Sequence, residues 1–88
     1  MILNLTLRVQ WYNLIERGIK LEEYRNMTDY WTKRIWERRD QIEAVRFTDY
    51  RRQMLIRVND ITIGPPKREW TANPNRTVFI IHLGERIE

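Results

Sequence analysis

The chain has no cysteine, one histidine, three glycines and three prolines in 88 residues. Without cysteine there is no disulfide, no thiolate nucleophile and no cysteine-ligated zinc, a composition suited to a reducing cytoplasm. With His82 alone, a histidine-rich metal site is excluded, and the carboxylates are scattered without ligand spacing, so neither metal nor cofactor is expected. Long apolar runs are also missing. The longest, Val78-Phe79-Ile80-Ile81, falls far short of the ~20 residues of a membrane-crossing helix. The stretch Met1 to Arg8 has no basic start and interrupts its apolar residues with polar ones, so no secretion signal and no membrane association are expected. No repeat, low-complexity stretch or linker divides the sequence. One domain spanning residues 1–88 is therefore expected, burying only ~60 to 65 % of its unfolded surface.

Positive charge is plentiful. Sixteen Lys and Arg against twelve Asp and Glu give a net charge of +4. That balance favours an anionic partner such as a nucleic acid or nucleotide. Arginine dominates, with Arg34, Arg38, Arg39, Arg46, Arg51 and Arg52, and its planar fork suits phosphate and base stacking better than lysine's point charge. Glu37, Asp40, Glu43 and Asp49 are interspersed, so a solubilising surface accounts equally well for the charge alone.

Residues 3 to 9 alternate, with Leu3, Leu5, Leu7 and Val9 on one face, the period of a half-buried strand. Trp11, Leu14 and Ile15 form one stripe of a short helix over residues 10 to 17, which Gly18 is suited to end. A second strand is expected over residues 20 to 26; within it Lys20 and Glu23 share a face only if Lys20 sits in the turn or the strand is bulged. Thr28 and Asp29 can cap and charge a second helix over about 28 to 39, with Met27, Trp31 and Ile35 as its apolar line. Residues 43 to 50 read as a strand with Val45 and Phe47 inward, and 53 to 63 as another. The apolar phase of the latter switches at Asn59-Asp60, which predicts a bulge or bend. Residues 64 to 76 form a long loop, and 77 to 84 a central strand apolar on both faces. The expected architecture is α+β: a small β-barrel of about five strands with two flanking helices.

The Trp11 helix is followed by Gly18-x-Lys20-x-x-Glu23-x-Arg25, then by Tyr30-Trp31 with Lys33-Arg34, and at the end by Phe79-Ile80-Ile81-His82-Leu83-Gly84. This succession resembles the ASCH domain, a branch of the PUA-like RNA-associated superfamily, over nearly the whole chain. The resemblance implies a PUA-like barrel and a cleft between barrel and helix lined by Lys20, Glu23 and Arg25. It also implies RNA or a modified nucleoside as partner. Some relatives in the wider group hydrolyse acetylated cytidine with a threonine, a lysine and a glutamate, and others have been linked to RNA cleavage. On that pattern Lys20 and Glu23 are the candidate catalytic pair, while Thr28, the nearest threonine after Lys20, does not match the nucleophile's spacing.

The residues themselves admit three uses. Lys20 and Arg25 can hold phosphate or a carbonyl oxygen while Glu23 accepts from a base amino group. A desolvated Lys20 beside Glu23 can act as general base or stabilise an oxyanion. Alternatively Lys20, Glu22, Glu23 and Arg25 form an ordinary ion-pair network that solvates a strand edge and discourages aggregation, and the domain is then a protein-interaction module or functionally idle. Arg34, Arg38, Arg51 and Arg52 are candidates to guide a phosphate backbone. Trp70, after Lys67-Arg68-Glu69, is either a plug for the barrel mouth or a stacking lid over a base. Trp11 and Trp31 are read as core in preference to base-stacking platforms, Trp36 as part of a wide helix stripe in preference to an exposed anchor for a partner, and His82 as a structural strand residue in preference to a site role; Tyr24, Tyr30 and Tyr50 are secondary candidates at a cleft edge.

Overall fold

The computed structural model describes residues Met1–Glu88. Five strands, β1 (Ile2–Thr6), β2 (Glu22–Asn26), β3 (Ala44–Thr48), β4 (Gln53–Gly64) and β5 (Val78–Arg86), make one mixed sheet in the order β1-β3-β4-β5-β2. Only β1 and β3 run parallel. The helical elements are α1 (Val9–Glu16) and α2 (Asp29–Trp31), the latter continuing as a π-helical turn over Thr32–Trp36. Short 3-10 turns at Arg39–Gln41 and Arg68–Trp70 complete the chain.

The alternation of β1 places Leu3 and Leu5 in the core and leaves Asn4 and Thr6 outward. In β3, Val45 and Phe47 are fully buried. Strand β4 is long enough to serve two partners, pairing β3 through Gln53–Arg57 and β5 through Ile56–Gly64. Its register slips between Ile56 and Asp60, where the apolar phase of the sequence switches. This bulge bends β4 and curls the sheet. Strand β5 lies between β4 and β2, and Val78, Phe79, Ile80 and Ile81 are all buried, as its two-faced apolar pattern predicts.

The curl is incomplete. The sheet is a half-barrel whose edges, β1 and β2, do not pair with each other, rather than the closed barrel expected from sequence. Two layers of apolar side chains share the work. The larger cluster joins Leu3, Leu5, Val45, Phe47, Ile56, Phe79 and Ile81 to Tyr12, Ile15 and Ile35 from the helical segments. The smaller joins Tyr24, Val78 and Ile80, with Trp70 packed against it.

The second helix departs most from expectation. Thr28 caps it by accepting from the Trp31 amide (3.2 Å), but the Thr32 hydroxyl donates to the Thr28 carbonyl (2.7 Å) and the Glu37 amide reaches back five residues to the Thr32 carbonyl (2.9 Å). The extra residue in the turn brings positions five apart into register, so Trp31 and Trp36 both pack on the core beside the buried Ile35. Trp36 stacks on Phe79 with centroids 5.8 Å apart. Met27, expected on this apolar line, precedes the helix and is exposed. No helix is long and apolar enough to cross a membrane.

Candidate functional site

The end of α1 determines where Lys20 goes. Gly18 adopts φ +74°, and the amides of Ile19 and Lys20 both donate to the Leu14 carbonyl (2.9 and 3.1 Å). This wrap reverses the polarity of the segment. Ile19 and Leu21 are turned to solvent, while Lys20 between them is 1 % exposed. Lys20 therefore sits in the turn before β2, the arrangement in which it can reach Glu23.

Glu23 and Arg25, two residues apart on β2, project to one face, and Glu23 bridges the two cations. Lys20 Nζ donates to Glu23 Oε1 (2.9 Å) and to the Glu22 carbonyl. Arg25 donates to Glu23 Oε2 through Nε (3.2 Å) and Nη2 (2.9 Å). The rings of Tyr24 and Trp11 lie 4.9 and 5.7 Å from Lys20 Nζ. Burial pushes the Lys20 pKa below its ordinary value, and the Glu23 carboxylate pulls in the opposite direction. With Glu23 itself only 7 % exposed, the lysine and its carboxylate form an internal pair whose polar atoms are used on each other, on the Glu22 carbonyl and on Arg25.

Arg25 carries this pair to the surface. Its Nη2 also donates to the Thr6 carbonyl (3.0 Å), bridging the two unpaired sheet edges, and its guanidinium lies 5.1 Å from the Trp31 ring centroid. Trp31 meets Tyr30 edge-on at 4.7 Å, and the Arg34 guanidinium stacks on Tyr30 at 3.5 Å. The result is a continuous ladder, Arg25–Trp31–Tyr30–Arg34, running outward from the buried lysine. Its outer rungs, Trp31, Tyr30 and Arg34, join Arg38 and Met1, Ile2, Leu3 and Asn4 in lining a cavity of about 240 Å³ between the second helical segment and β1, on the β1 side of the open seam. Strand β1 pairs only with β3. Since Thr6 turns its carbonyl to the seam, alternation turns the main-chain groups of Ile2 and Asn4 the same way, leaving donors and acceptors free in that cavity.

The other sequence candidates lie apart from this ladder. Arg51 and Arg52 belong to the hairpin joining β3 to β4. Arg52 is tied to Asp49 Oδ2 (2.6 Å), Asn13 Oδ1 (2.8 Å) and Glu16 Oε1 (3.3 Å), and lies over the Tyr12 ring at 4.4 Å. Its role in this structure is to hold the hairpin to α1. Trp70 packs half-buried on Tyr24, Val78 and Ile80 with Lys67 Nζ 4.8 Å from its ring. Lys67 also donates its amide to the Tyr24 hydroxyl (3.1 Å), so this loop is moored to the sheet. His82 Nε2 is 2.7 Å from Thr62 Oγ1 across β4 and β5.

Sequence reasoning gave Tyr30 only a secondary place, although it forms the centre of the outer ladder. Its signal was present in Tyr30 and Arg34 at i and i+4, a stacking distance on any helical turn. The Arg25–Thr6 bridge had no such signal, because it depends on where two edge strands come to rest. The Tyr12 hydroxyl is a further unforeseen feature: buried in the core with no hydrogen-bond partner, it has its pKa raised by burial and by nearby Glu16. No group of three or more His, Cys, Asp or Glu side chains is placed to hold a metal. No family model, curated protein or solved structure matches the chain.

Proposed function

We propose that the chain recognises RNA or a modified nucleoside in the cavity at the open seam. The observation that carries this reading is the Arg25–Trp31–Tyr30–Arg34 ladder beside the free edge of β1. Unpaired bases are held by stacking on aromatic and guanidinium planes and read along their edges by hydrogen bonds. Tyr30 and Trp31 supply the planes, the Ile2 and Asn4 main chain supplies donors and acceptors, and Arg34 and Arg38 supply charge for phosphate. A volume of about 240 Å³ lies below the ~300 Å³ lower bound of typical drug-sized pockets, which favours one flat ring with its flanking phosphates outside.

In this reading the Lys20–Glu23–Arg25 centre positions Arg25 under Trp31. Support for hydrolysis by Lys20 and Glu23 is weaker, because the two groups are buried against each other. The ASCH-like, PUA-like resemblance of the sequence points to the same ligand class, and the half-barrel with its seam is compatible with it.

Titration with a short single-stranded RNA at several salt concentrations tests the proposal. Arg38→Ala, at an exposed position without an ion-pair partner, is expected to weaken binding and reduce the salt slope by about one. Tyr30→Ala is expected to cost ~1–3 kcal/mol of binding if a base stacks there. Unchanged affinity in both variants would overturn the assignment of this cavity.

A further inference from the structure

The tip of the β3–β4 hairpin has a residue that turn chemistry disfavours. Thr48 pairs with Gln53, and the Asp49 amide donates to the Arg52 carbonyl (3.2 Å), so Tyr50 and Arg51 are the two turn residues. Tyr50 adopts φ +80°. Glycine, asparagine or aspartate is the usual occupant of such a position, because a Cβ in the left-handed region meets the following carbonyl. Here the position is filled by a bulky aromatic that is 91 % exposed and so returns no burial for its strain. Backbone strain that packing does not repay is a pointer to function.

The surroundings specify a ligand. Asp49 Oδ1 accepts from the amides of Arg51 (3.2 Å) and Arg52 (2.8 Å), and its Oδ2 accepts from Arg52 Nε (2.9 Å) and Nη2 (2.6 Å). The only carboxylate at the tip is thereby neutralised, and its bonds tie the two ends of the turn together. The Arg51 guanidinium is exposed and has no hydrogen-bond or ion-pair partner. Tyr50, Arg51 and Arg52 line open grooves of about 550 Å³, floored by Val9 and Asp49, and about 410 Å³, bounded by Thr48 and Gln53. A projecting ring with a free guanidinium beside it and open surface around both matches a stacked base and its adjoining phosphate.

We infer that the Tyr50-Arg51 hairpin tip is a second contact for single-stranded nucleic acid, with a base stacked on Tyr50 and a phosphate on Arg51. This takes its ligand class from the seam reading but uses residues on a different element. The exposed Tyr50 ring beside the free arginine favours a nucleic acid over an acidic protein partner, since it offers a stacking face for a base as well as attraction to an anion.

The test is amide chemical-shift mapping of the full chain with an oligouridylate of about ten nucleotides, together with affinities of the hairpin variants. Shifts at residues 49–53, a ~5- to 150-fold loss of affinity in Tyr50→Gly, retention in Tyr50→Phe, and a salt slope lower by about one in Arg51→Ala are expected. Glycine suits the tip conformation, so Tyr50→Gly should melt no lower than the parent chain and its loss of affinity cannot come from unfolding. Shifts confined to Tyr30, Trp31 and β1 would overturn the hairpin contact and leave the seam reading standing. Shifts confined to residues 49–53 would support the hairpin contact and overturn the seam. The absence of shifts at either place would overturn both, as would capture of an acidic polypeptide at the tip with no RNA binding.

Discussion

Arg25 on β2 donates a hydrogen bond to the Thr6 carbonyl on β1 at 3.0 Å, and so joins the two edges of a sheet that does not close. The same guanidinium holds Glu23 with two donors, and Glu23 holds Lys20. One side chain thus connects the buried ion pair, the seam and the aromatic ladder. Three planar donors in a fixed fork make this possible, which a single ammonium does not reproduce.

Replacing Arg25 by lysine keeps the charge and removes the fork. Arg25→Lys is expected to lose ~1–2 kcal/mol of stability, since hydrogen bonds to a partly exposed charged group are broken. For a domain of this size each kcal/mol corresponds to a melting shift of ~4–8 °C. Hydrogen exchange should quicken along β1 and β2 before the central strands. An unaltered melting curve would mean that the seam bridge contributes nothing to stability.

The Lys20–Glu23 pair predicts a sharper contrast. Glu23→Leu leaves a buried ammonium without its partner and is expected to cost ~3–5 kcal/mol. The double change Lys20→Met with Glu23→Leu removes both charges at similar volume and is expected to recover part of that loss, because desolvation of the pair disappears with it while Arg25 lacks Glu23 in both variants. Urea unfolding of the two variants decides the point. A double variant as unstable as Glu23→Leu would show that packing around these chains, rather than charge, governs the effect.

The hairpin predicts a pH dependence of stability. The Arg52 side chain holds the Asp49 pKa below the usual carboxylate range, assisted by the Arg52 and Arg51 amides. A carboxyl whose folded pKa is depressed adds stability above its unfolded pKa of ~3.9, and that stability is lost as pH falls through the folded pKa. The difference in stability between the parent chain and Asp49→Asn is therefore expected to be present at neutral pH and to shrink below about pH 4. Denaturant midpoints measured across this range check it, and a constant difference down to the acid limit would contradict the assignment.

Gly18 sits at φ +74° with nothing near its missing Cβ, so an added methyl meets no neighbour but strains the backbone. Gly18→Ala is expected to cost ~1 kcal/mol. Because this residue makes the turn that buries Lys20, shifts in the amide spectrum should extend to Glu23 and Arg25. A change confined to residues 17–19 would show that the turn tolerates the strain without moving the lysine.

Much of the fold was legible in the sequence because it follows from local periodicity. The alternation of Leu3 and Leu5, the two-faced apolar run Val78–Ile81, a short helix ended by Gly18, and the phase switch near Asn59 each correspond to an observed element, whereas Val9, expected inward on the strand, is exposed at the start of α1, and of the expected stripe Trp11, Leu14 and Ile15 only Ile15 is buried, beside Tyr12. The second helix was less legible. Thr28 and Ile35 behaved as their positions suggested, but the π turn depends on a hydroxyl of Thr32 competing for the backbone and on what Trp36 finds to pack against.

The sequence by itself determined a basic, cysteine-free α+β chain, and it placed Lys20, Glu23 and Arg25 close enough along the chain to meet. Their convergence required only short-range geometry: a left-handed glycine that turns Lys20 inward and a strand that puts Glu23 and Arg25 on one face. Only the tertiary structure decided that the sheet stays open, that Arg25 crosses from β2 to Thr6, that the ladder through Trp31 and Tyr30 meets the free edge of β1, and that Tyr50 stands exposed at a strained tip. These arrangements join residues far apart in the chain, or depend on sheet twist and on which edges remain unpaired. Neither period nor composition encodes such long-range relations, because they arise from the packing of all five strands at once.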